Sequence, residues 1–357
     1  MLTIKSTHYD YKVSFINNIN ESISNLIIKG RTSFLIDKNV WALYSNELYL
    51  QDYLDDVYFV TAVEDHKTIY DVIDILKIWQ VKDIQKKSRI IIFGGGITQD
   101  IGAFACKIYY RGIDWYFFPT TLLAMSDSCI GAKCGVNFNN FKNQLGVFHA
   151  PKEVYIYIPF IETLKIEDIY SGLGEIFKLH ISKDAEHYNY CKKSFEELGN
   201  LKAYIKQLVY QSLKIKKEII ELDEYDTGIR RILNYGHTFG HALEKYTNNE
   251  ISHGIAVLWG MDISNYISYQ LHYLSEKDYL DIKNVIKTTF NLKCPYVTDI
   301  DKLLQVIKRD KKSESDFINM VLLTKIGNLK LEAIALDKNL KKILKDYFDE
   351  SLGFFSN

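Results

Sequence analysis

The stretch Arg89–Gly112, RIIIFGGGITQDIGAFACKIYYRG, decides the fold of this chain. It begins with a short apolar run rich in β-branched residues, which predicts a buried strand. Three glycines, Gly94–Gly96, follow, and the residues after them place apolar side chains at helical spacing. A strand, a glycine turn and a helix often hold a nucleotide pyrophosphate at the helix N-terminus. The stretch matches neither G-x-G-x-x-G nor a P-loop, so a glycine-rich connection without a ligand is the alternative.

The segments before this stretch show the same alternation. TSFLIDKNV and DVYFVTAV are strand-like, and KTIYDVIDILKIWQV, which follows them, is helix-like. Alternating strands and helices predict a parallel sheet covered by helices. After about Phe160 helical patterns dominate, and the whole chain has only 4 prolines to interrupt them. We therefore predict an α/β domain over residues 1–165 and a mainly α-helical domain over residues 166–357.

The composition excludes several classes of protein. Hydrophobic residues make up 47% of the chain and charged residues 25%, which is typical of a globular protein. A formal net charge of -1 gives no overall field to attract nucleic acid or an anionic membrane. The 5 cysteines form no CxxC pair, the N-terminal residues lack the features of a signal peptide, and no apolar run suggests a membrane span. We therefore expect reduced thiols in a cytoplasmic protein without a nucleic-acid or membrane partner.

The segment Phe117–Phe148 combines apolar stretches with lysines set among small residues. Lys133 lies between Gly131, Ala132 and Gly135, which let a ligand approach the backbone. Lysines in such surroundings favour the binding of phosphate or carboxylate groups, and a surface loop with incidental lysines is the alternative. The polar residues of the segment that stand out are Thr120, Thr121, Asp127, Lys133, Asn137, Lys142 and Asn143.

The second half carries histidines and a glutamate at spacings that suit a metal. His237 and His241 lie four residues apart in ILNYGHTFGHALEKY, so they share one face of a helix. His253 follows twelve residues later, and Glu175 precedes Lys178 by three residues. A catalytic zinc site has three N or O ligands and one open position. Spacing does not decide which histidines bind, and hydrogen-bonded core histidines are the alternative. The two histidines form an HxxxH motif without the glutamate that follows the first histidine in HExxH, so a zinc peptidase is disfavoured.

Six motifs follow one another in a recognisable order: GGGITQDIGAF, RGIDWYFFPTTLLAMSDSCIGAK, KNQLGVFHAPKEV, SGLGEIFK, RRILNYGHTFGHALE and SHGIAV. Together they resemble the successive motifs of the 3-dehydroquinate synthases and related sugar phosphate cyclases. The resemblance covers roughly residues 30–330. It implies that the N-terminal α/β domain binds NAD, that the C-terminal helical domain binds metal and substrate, and that the protein is a homodimer.

The resemblance also implies roles for individual residues. Glu175, His237 and His253 would hold zinc or cobalt, and His241 would face the substrate phosphate. Arg111 resembles the arginine that reaches the phosphate pocket of the partner subunit. The residues implied to contact NAD are Asp37, Asn39, Glu64, Lys67, Gly94, Gly95, Gly96, Asp100, Thr120, Thr121, Lys133, Lys142, Thr163 and Leu164. The residues implied to contact the substrate are Asp127, Lys133, Lys142, Asn143, Lys178, Lys216, Arg230, Asn234, His241 and Lys311.

The reaction implied by the resemblance converts 3-deoxy-D-arabino-heptulosonate 7-phosphate to 3-dehydroquinate and phosphate. NAD oxidises a ring hydroxyl transiently, phosphate is eliminated, the hydride returns, and an intramolecular aldol closure gives the carbocycle. Zinc would act as a Lewis acid. Lys216 and Arg230 would hold the substrate carboxylate, and with Asn234 they favour this substrate over a neutral sugar phosphate.

Five positions depart from the family pattern. Ile255 replaces a glutamate that usually stands two residues after the last metal-binding histidine, which removes a group expected to support the ligands. The other departures are Val63, Gln99, Ala132 and Cys134. One alternative is therefore a related cyclase that acts on another acidic sugar phosphate in secondary or surface-polysaccharide metabolism. The others are a metal-dependent polyol dehydrogenase and a catalytically silent binding protein.

Overall fold

The computed structural model describes residues 1–139, 141–197, 201–248, 250–290, 297–310 and 316–355. The chain forms two compact units. The first unit contains Met1–Lys165 together with Lys216–Tyr225, and the second contains Ile166–Ile215 together with Asp226–Asn357. Within the described ranges, no helix is both long enough and apolar enough to cross a membrane.

The first unit contains strands and helices in regular alternation. In chain order, its described residues form β1 (Leu2–Ile4), β2 (Tyr11–Phe15), α1 (Ile19–Leu26), β3 (Thr32–Asp37), α2 (Lys38–Tyr44), β4 (Val57–Val60), α3 (Ile69–Val81), β5 (Arg89–Gly94), α4 (Gly96–Ile108), β6 (Asp114–Pro119), β7 (Lys133–Phe138), β8 (Phe141–Phe148) and β9 (Glu153–Ile156).

Seven of these strands form one sheet in the order β1-β2-β9-β6-β5-β3-β4. Neighbouring strands are parallel except for β1, which runs antiparallel to β2. The central strand β5 is buried on both faces, because Ile90, Ile91, Ile92 and Phe93 are all inaccessible to solvent. Strands β7 and β8 form a separate antiparallel hairpin. The structure therefore confirms the predicted α/β fold and the strand, turn and helix of Arg89–Gly112.

The carboxyl ends of β3, β5 and β6 lie side by side, because these strands are parallel neighbours. In the sheet, β4 lies on one side of β3, and the next strand of the chain, β5, lies on the other side of β3. The direction of strand addition therefore reverses between β3 and β5. Doubly wound α/β folds bind ligands at such a reversal, outside the carboxyl ends of the strands. Asp37 ends β3 and Gly94 ends β5, so both residues border this position.

The second unit is mainly helical, as predicted. Its described elements are α5 (Ile166–Lys183), α6 (Ala185–Glu196), α7 (Leu201–Ile220, which continues into the first unit from Lys216), α8 (His237–Tyr246), α9 (His253–Gln270), α10 (Glu276–Phe290), α11 (Ile300–Asp310), β10 (Phe317–Lys325), β11 (Asn328–Ala335) and α12 (Lys338–Phe355). The antiparallel hairpin of β10 and β11 is an addition to the predicted helices. The run Met320–Leu323 is entirely buried, and a short buried strand cannot be distinguished from a helix by its periodicity.

Glycines allow α5, α8 and α9 to pack closely. A Cβ atom on Gly254 of α9 would stand 1.9 Å from the carbonyl oxygen of Ser171 in α5. A Cβ atom on Gly260 would stand 1.8 Å from the carbonyl oxygen of Gly236, the residue that precedes α8. Gly236 itself has a φ of +80°, which residues other than glycine rarely adopt. The three helices can therefore approach one another closely enough to present side chains to one site.

Candidate active site

Three helices of the second unit bring a glutamate and three histidines together. Glu175 lies in α5, His237 and His241 lie in α8, and His253 begins α9. Glu175 Oε1 is 3.7 Å from His237 Nε2 and 3.6 Å from His253 Nε2. One ring nitrogen from each histidine lies within 4.8 Å of the corresponding atoms of the other two. The structure therefore gathers into one cluster the four residues that the sequence singles out for a metal.

Burial makes this cluster suitable for a cation. Glu175 is 1% exposed, and neither of its carboxylate oxygens has a hydrogen-bond partner among the described residues. The buried ammonium of Lys178 lies 2.5 Å from Oε2 and offsets part of the charge. A buried carboxylate without hydrogen bonds is unfavourable, so a cation bound at Oε1 would relieve a real cost. A carboxylate with imidazoles is a donor set that suits zinc and related transition metals.

Acceptors behind two of the imidazoles orient their rings. His237 Nδ1 lies 3.2 Å from the carbonyl oxygen of Tyr235, and His253 Nδ1 lies 3.4 Å from Glu244 Oε2. Both rings therefore direct Nε2 towards Glu175. Histidines that ligate a metal through one ring nitrogen typically donate the proton of the other to such an acceptor.

The two imidazoles differ in their pKa. Burial, the Lys178 ammonium and the neighbouring histidines hold the pKa of His237 well below its usual value. Burial alone would lower the pKa of His253, but the hydrogen bond to Glu244 and the charges of Glu175 and Glu244 outweigh it, so the pKa is raised. His237 is therefore neutral at neutral pH and has a lone pair available for a metal.

The geometry does not choose two histidines out of the three. The ring centroid of His241 lies 5.3 Å from that of His237 and 5.6 Å from that of His253. Its place one turn after His237 on α8 agrees with the four-residue spacing. The assignment of the metal to Glu175, His237 and His253 stays a prediction, and so does the phosphate-binding role of His241.

The glycine turn of the first unit lies at the carboxyl edge of the sheet. Gly95 precedes α4 and Gly96 begins it. A Cβ atom on Gly95 would stand 2.9 Å from Thr121 Cγ2, whereas the nearest atom to one on Gly96 would be 3.8 Å away. The amide of Thr120 donates to the carbonyl oxygen of Gly94 at 2.9 Å, so the residues after β6 lie beside the turn. Backbone amides at the start of α4, next to a turn that is open at Gly96, suit a pyrophosphate.

Other residues predicted to contact NAD follow neighbouring strands. Asp37 accepts a hydrogen bond of 2.8 Å from the amide of Asn39, whose side chain is exposed, and burial raises the pKa of the Asp37 carboxyl group. Thr163 and Leu164 follow β9, and the hydroxyl of Thr163 lies 2.9 Å from that of Tyr44. Asp37 lies beside the glycine turn because it ends β3, the parallel neighbour of β5, which ends at Gly94.

A second polar cluster in the first unit is held together by hydrogen bonds between its own members. Lys67, which is 8% exposed, lies 2.5 Å from Asp100 Oδ2 and donates to Asn143 Oδ1 at 2.7 Å. Asn137 accepts from the amide of Asn143 at 2.8 Å and donates to Glu64 Oε1 at 3.0 Å. Burial raises the pKa of Asp100, and the Lys67 ammonium counteracts this shift. Four residues that the sequence assigns to NAD or substrate thus share one network.

Asp127 and Lys216 lie together inside the first unit. Lys216 Nζ is 3.0 Å from Asp127 Oδ1 and donates to the Asp127 carbonyl oxygen at 2.8 Å. Lys216 is buried, and this contact helps to explain why Lys216–Tyr225 belongs to the first unit. Lys133 and Lys142, by contrast, are exposed on the hairpin of β7 and β8.

The remaining predicted residues occupy separate positions. Arg111 is exposed in the turn after α4. In the second unit, Arg230 is buried and Asn234 is exposed, both in the 3-10 helix Ile229–Asn234. Lys311 lies outside the described residues, so its predicted contact with the substrate stays a prediction.

One departure from the family pattern has a local explanation. Gln99 is buried, donates through Nε2 to the carbonyl oxygen of Ser128 at 2.7 Å, and accepts from the Ser128 hydroxyl at 2.7 Å. It therefore ties the start of α4 to the turn after β6. Ala132 has a φ of +59°, a conformation that glycine adopts at lower cost. Nothing in the surroundings of Val63 or Cys134 explains these two substitutions.

The sequence assigns no role to two residues that contact the candidate site. Asn137 is one of the polar residues that stand out in Phe117–Phe148, but its position in the sequence indicates no specific role. Glu244 ends the helix motif RRILNYGHTFGHALE and resembles an ordinary exposed helix residue. Glu244 follows His237 by seven residues, or two helical turns, and this spacing indicates that both residues share one face of the helix.

Comparison with known proteins yields consistent matches over nearly the whole chain. The family model "3-dehydroquinate synthase N-terminal" matches residues 57–171, and "3-dehydroquinate synthase C-terminal" matches residues 172–313. The 3-dehydroquinate synthase of Campylobacter curvus (strain 525.92) is 34% identical and covers 97% of this chain and 99% of its own.

Two solved structures share the fold. The 2-epi-5-epi-valiolone synthase of Streptomyces hygroscopicus subsp. jinggangensis 5008, with NAD+ and Zn2+ bound, has a TM-score of 0.86 at 23% identity and covers 97% of this chain and 99% of its own. A 2-deoxy-scyllo-inosose synthase complexed with carbaglucose-6-phosphate, NAD+ and Co2+ has a TM-score of 0.81 at 20% identity, with coverages of 98% and 99%.

Proposed function

We propose that this chain, which belongs to the 3-dehydroquinate synthase family, converts 3-deoxy-D-arabino-heptulosonate 7-phosphate to 3-dehydroquinate and phosphate. The six sequence motifs predict this family, and 34% identity over 97% of the chain confirms it. The observation that carries the proposed activity is Glu175 Oε1, a buried carboxylate oxygen that faces two imidazoles and has no hydrogen-bond partner among the described residues. The enzyme is thus a phosphate-eliminating carbon–oxygen lyase that depends on a metal.

NAD and a divalent cation, zinc or cobalt, are the proposed cofactors. When bound, NAD takes a hydride from the substrate and returns it, and the cation acts as a Lewis acid on a substrate oxygen. Glu175, His237 and His253 would hold the cation, since a carboxylate and two imidazoles are a usual donor set for a catalytic zinc. The solved relatives with NAD+ and Zn2+ or Co2+ bound support this choice.

The proposed NAD site lies in the domain of residues 1–165. The glycine turn at the end of β5 receives the pyrophosphate, because its backbone can approach closely and α4 begins there. Asp37 stands at the reversal of strand order, where a ribose can reach its carboxylate. The other residues proposed to contact NAD are Asn39, Glu64, Lys67, Asp100, Thr120, Thr121, Lys133, Lys142, Thr163 and Leu164.

The substrate carries a phosphate and a carboxylate, and cationic side chains bind both. Arg230 and Lys216 hold the carboxylate, because a guanidinium can bind it in a bidentate manner. Both side chains are buried, so solvent screens their charges weakly. His241, beside the metal cluster, faces the phosphate. Further substrate contacts are proposed for Asp127, Lys133, Lys142, Asn143, Lys178, Asn234 and Lys311.

Lys178 supports the charge that develops during elimination of phosphate. Loss of a proton from the carbon next to the oxidised position leaves negative charge on the substrate. The Lys178 ammonium, 2.5 Å from Glu175 Oε2, keeps a buried positive charge beside the cation site. Preorganised charge of this kind lowers the barrier because no solvent must reorient during the reaction.

We further propose a cytoplasmic homodimer in which Arg111 reaches the phosphate of the partner subunit. Tyr110, Arg111 and Gly112 all have positive φ, so the turn presents Arg111 in a strained, exposed position. Lys86 supports this turn by donating to the carbonyl oxygens of Tyr110 and Gly112. Light scattering on the purified protein would test the dimer, and mixing Arg111→Ala subunits with metal-free subunits would test the contribution in trans.

A related cyclase acting on another acidic sugar phosphate is the second candidate. Ile255 favours it, because the family usually has a glutamate at this position. The TM-score of 0.86 to a valiolone synthase shows that the same fold accommodates other cyclases. Buried Arg230 still favours a substrate with a carboxylate.

One assay tests the proposal. Metal-loaded, NAD-saturated protein is given 3-deoxy-D-arabino-heptulosonate 7-phosphate beside a panel of acidic and neutral sugar phosphates, and inorganic phosphate is measured. Release from the heptulosonate alone, dependent on both cofactors, is the expected result. Turnover of a different sugar phosphate would indicate the second candidate. Net accumulation of NADH with glycerol would indicate a polyol dehydrogenase, and failure to bind zinc would indicate a silent binding protein.

A further inference from the structure

We propose that Glu244 is a positioning residue that orients His253 for the metal. The proposal rests on the proposed function in so far as the Glu175 cluster binds a divalent cation. It concerns how that cation is held, and it does not depend on which sugar phosphate reacts.

The geometry places His253 between two carboxylates. Its Nδ1 lies 3.4 Å from Glu244 Oε2, and its Nε2 lies 3.6 Å from Glu175 Oε1. A proton on Nδ1 is donated to Glu244, so the lone pair of the neutral ring is on Nε2. Glu244 therefore selects the tautomer and the ring orientation that a metal beside Glu175 requires.

Helix α8 supplies both His237 and Glu244 to the same site. The two residues are seven positions apart, which is two turns, so they project from one face. Their roles differ, because His237 is a ligand candidate whereas Glu244 stands behind the ligand from α9. A single helix thus fixes one ligand directly and a second ligand through its hydrogen bond.

His253 depends on such support more than His237 does. The His253 side chain is 37% exposed, and that of His237 is 16% exposed. His253 is also the first residue of α9, whose preceding residue Ser252 makes no side-chain cap. An imidazole that is partly exposed at a helix end can rotate readily, and its ordering would otherwise cost affinity. The Glu244 side chain, 14% exposed, restrains this rotation.

The two ligand candidates also receive different kinds of support. His237 donates to a neutral carbonyl oxygen of Tyr235, whereas His253 faces a carboxylate. A carboxylate acceptor raises the basicity of the ligating nitrogen more than a carbonyl does. The chain therefore places a charged partner behind one histidine and a neutral one behind the other.

Competition for zinc tests the proposal directly. Metal-free wild-type protein, Glu244→Ala, Glu244→Gln and the control Glu167→Gln are titrated with zinc against a chromophoric chelator. Glu167 is an exposed glutamate in the same unit, in the first turn of α5. Glu244→Ala should bind zinc about 10–100-fold more weakly, which is the usual loss for a partner behind a metal ligand. Glu244→Gln should lose less, because its amide oxygen still accepts the proton, and Glu167→Gln should lose nothing.

Two further measurements separate positioning from a structural role. The visible absorption of bound cobalt should change in Glu244→Ala, and the melting temperature of the metal-free protein should stay at the wild-type value. If Glu244→Ala binds zinc with wild-type affinity and shows an unchanged cobalt spectrum, the proposal is wrong. It is also wrong if Glu244→Gln lowers the melting temperature of the metal-free protein as much as that of the zinc-loaded protein. Wild-type protein that binds no metal would also overturn it. Zinc binding without phosphate release would reject the proposed reaction and leave the role of Glu244 intact.

Discussion

The polar clusters of the two units differ in how far the protein satisfies them. In the first unit, Lys67 contacts both Asp100 and Asn143, and Asn137 bonds to Asn143 and Glu64. In the second unit, Lys178 lies 2.5 Å from Glu175 Oε2, whereas Oε1 is buried without a hydrogen bond from the described residues. The side chains of the first cluster therefore satisfy one another, whereas the second cluster leaves one buried carboxylate oxygen for the cation that we propose.

This difference separates two ways of preparing a site. A cluster with internal hydrogen bonds holds its side chains in place before a ligand arrives, at the cost of stability if one member is removed. A cluster with an unsatisfied buried carboxylate stores an unfavourable charge that ligand binding relieves. Substitutions should therefore destabilise the first cluster with or without ligand, and the second should respond mainly to the metal.

The largest effect is expected from Glu175→Ala and His237→Ala. Each removes a proposed ligand, so zinc affinity and phosphate release should both fall by more than about 100-fold, since even partners behind ligands contribute roughly 10–100-fold. Zinc content after dialysis and phosphate release would be measured together. Glu167→Ala, on the same helix as Glu175, should retain both. Stoichiometric zinc in the Glu175→Ala protein would contradict the ligand assignment.

Zinc itself should stabilise the second unit strongly. At a free concentration of about 1,000 times its Kd, a ligand that binds only the folded state adds about 4 kcal/mol to the free energy of unfolding. Hydrogen exchange would locate the gain, which we expect in α5, α8 and α9 and not in β3 or β5. If zinc slows hydrogen exchange equally in both units, or still slows it in Glu175→Ala, the two clusters do not differ in their response to the metal.

Lys67→Met should destabilise the first unit independently of any metal. The substitution leaves the Asp100 carboxylate without its ion pair, which costs about 3 kcal/mol at the lower end of the range for buried pairs, because the Asp100 side chain is 21% exposed. Urea unfolding of Lys67→Met and wild-type protein in the presence of a chelator would measure this loss of stability. Asp100→Asn combined with Lys67→Met should cost less than the sum of the two single substitutions, and strict additivity would show that the pair does not interact.

The sequence predicts these clusters unequally, for physical reasons. Strand and helix periodicity, with glycines between, is local information, so Arg89–Gly112 could be predicted as the centre of an α/β unit. The four-residue spacing of His237 and His241 is local too, and it correctly places both on one face. Contacts across the fold are not local. The partner of Lys67 lies 33 residues away at Asp100, and no pattern along the chain specifies that pairing.

The choice among His237, His241 and His253 shows the same limit at the candidate site. The three rings lie together because Gly254 and Gly260 let α9 approach α5 and α8, a property of packing that spacing does not reveal. The support of His253 by Glu244 depends on the same approach of α8 and α9. The family resemblance supplies one pair of histidines, where the geometry alone leaves all three pairs open.

Acid should also destabilise both units by smaller amounts, because each contains a buried histidine outside the metal cluster whose pKa is lowered. Burial lowers the pKa of His149 in the first unit and of His180 in the second to about 4. The unfolded chain has an ordinary histidine pKa of about 6.5, so it binds more protons than the folded chain between the two values. The stabilising contribution is fully present above pH 6.5 and is lost as the pH falls towards 4. Each histidine should cost about 2 kcal/mol of stability between pH 7 and pH 5.

Urea unfolding at pH 7 and pH 5 in the presence of a chelator would measure the loss, and a comparison of wild-type protein with His180→Leu separates the share of His180 from that of the metal cluster. His180→Leu should reduce the difference between the two pH values by about 2 kcal/mol, because the variant no longer has that group to protonate. His180 is inaccessible to solvent, its Nδ1 lies 2.8 Å from the carbonyl oxygen of Ile176, and its Nε2 lies 3.3 Å from Gln211 Oε1. Leucine removes both contacts at either pH, so the test compares only the difference between the two pH values. An unchanged pH dependence in His180→Leu would mean that other groups cause the acid sensitivity.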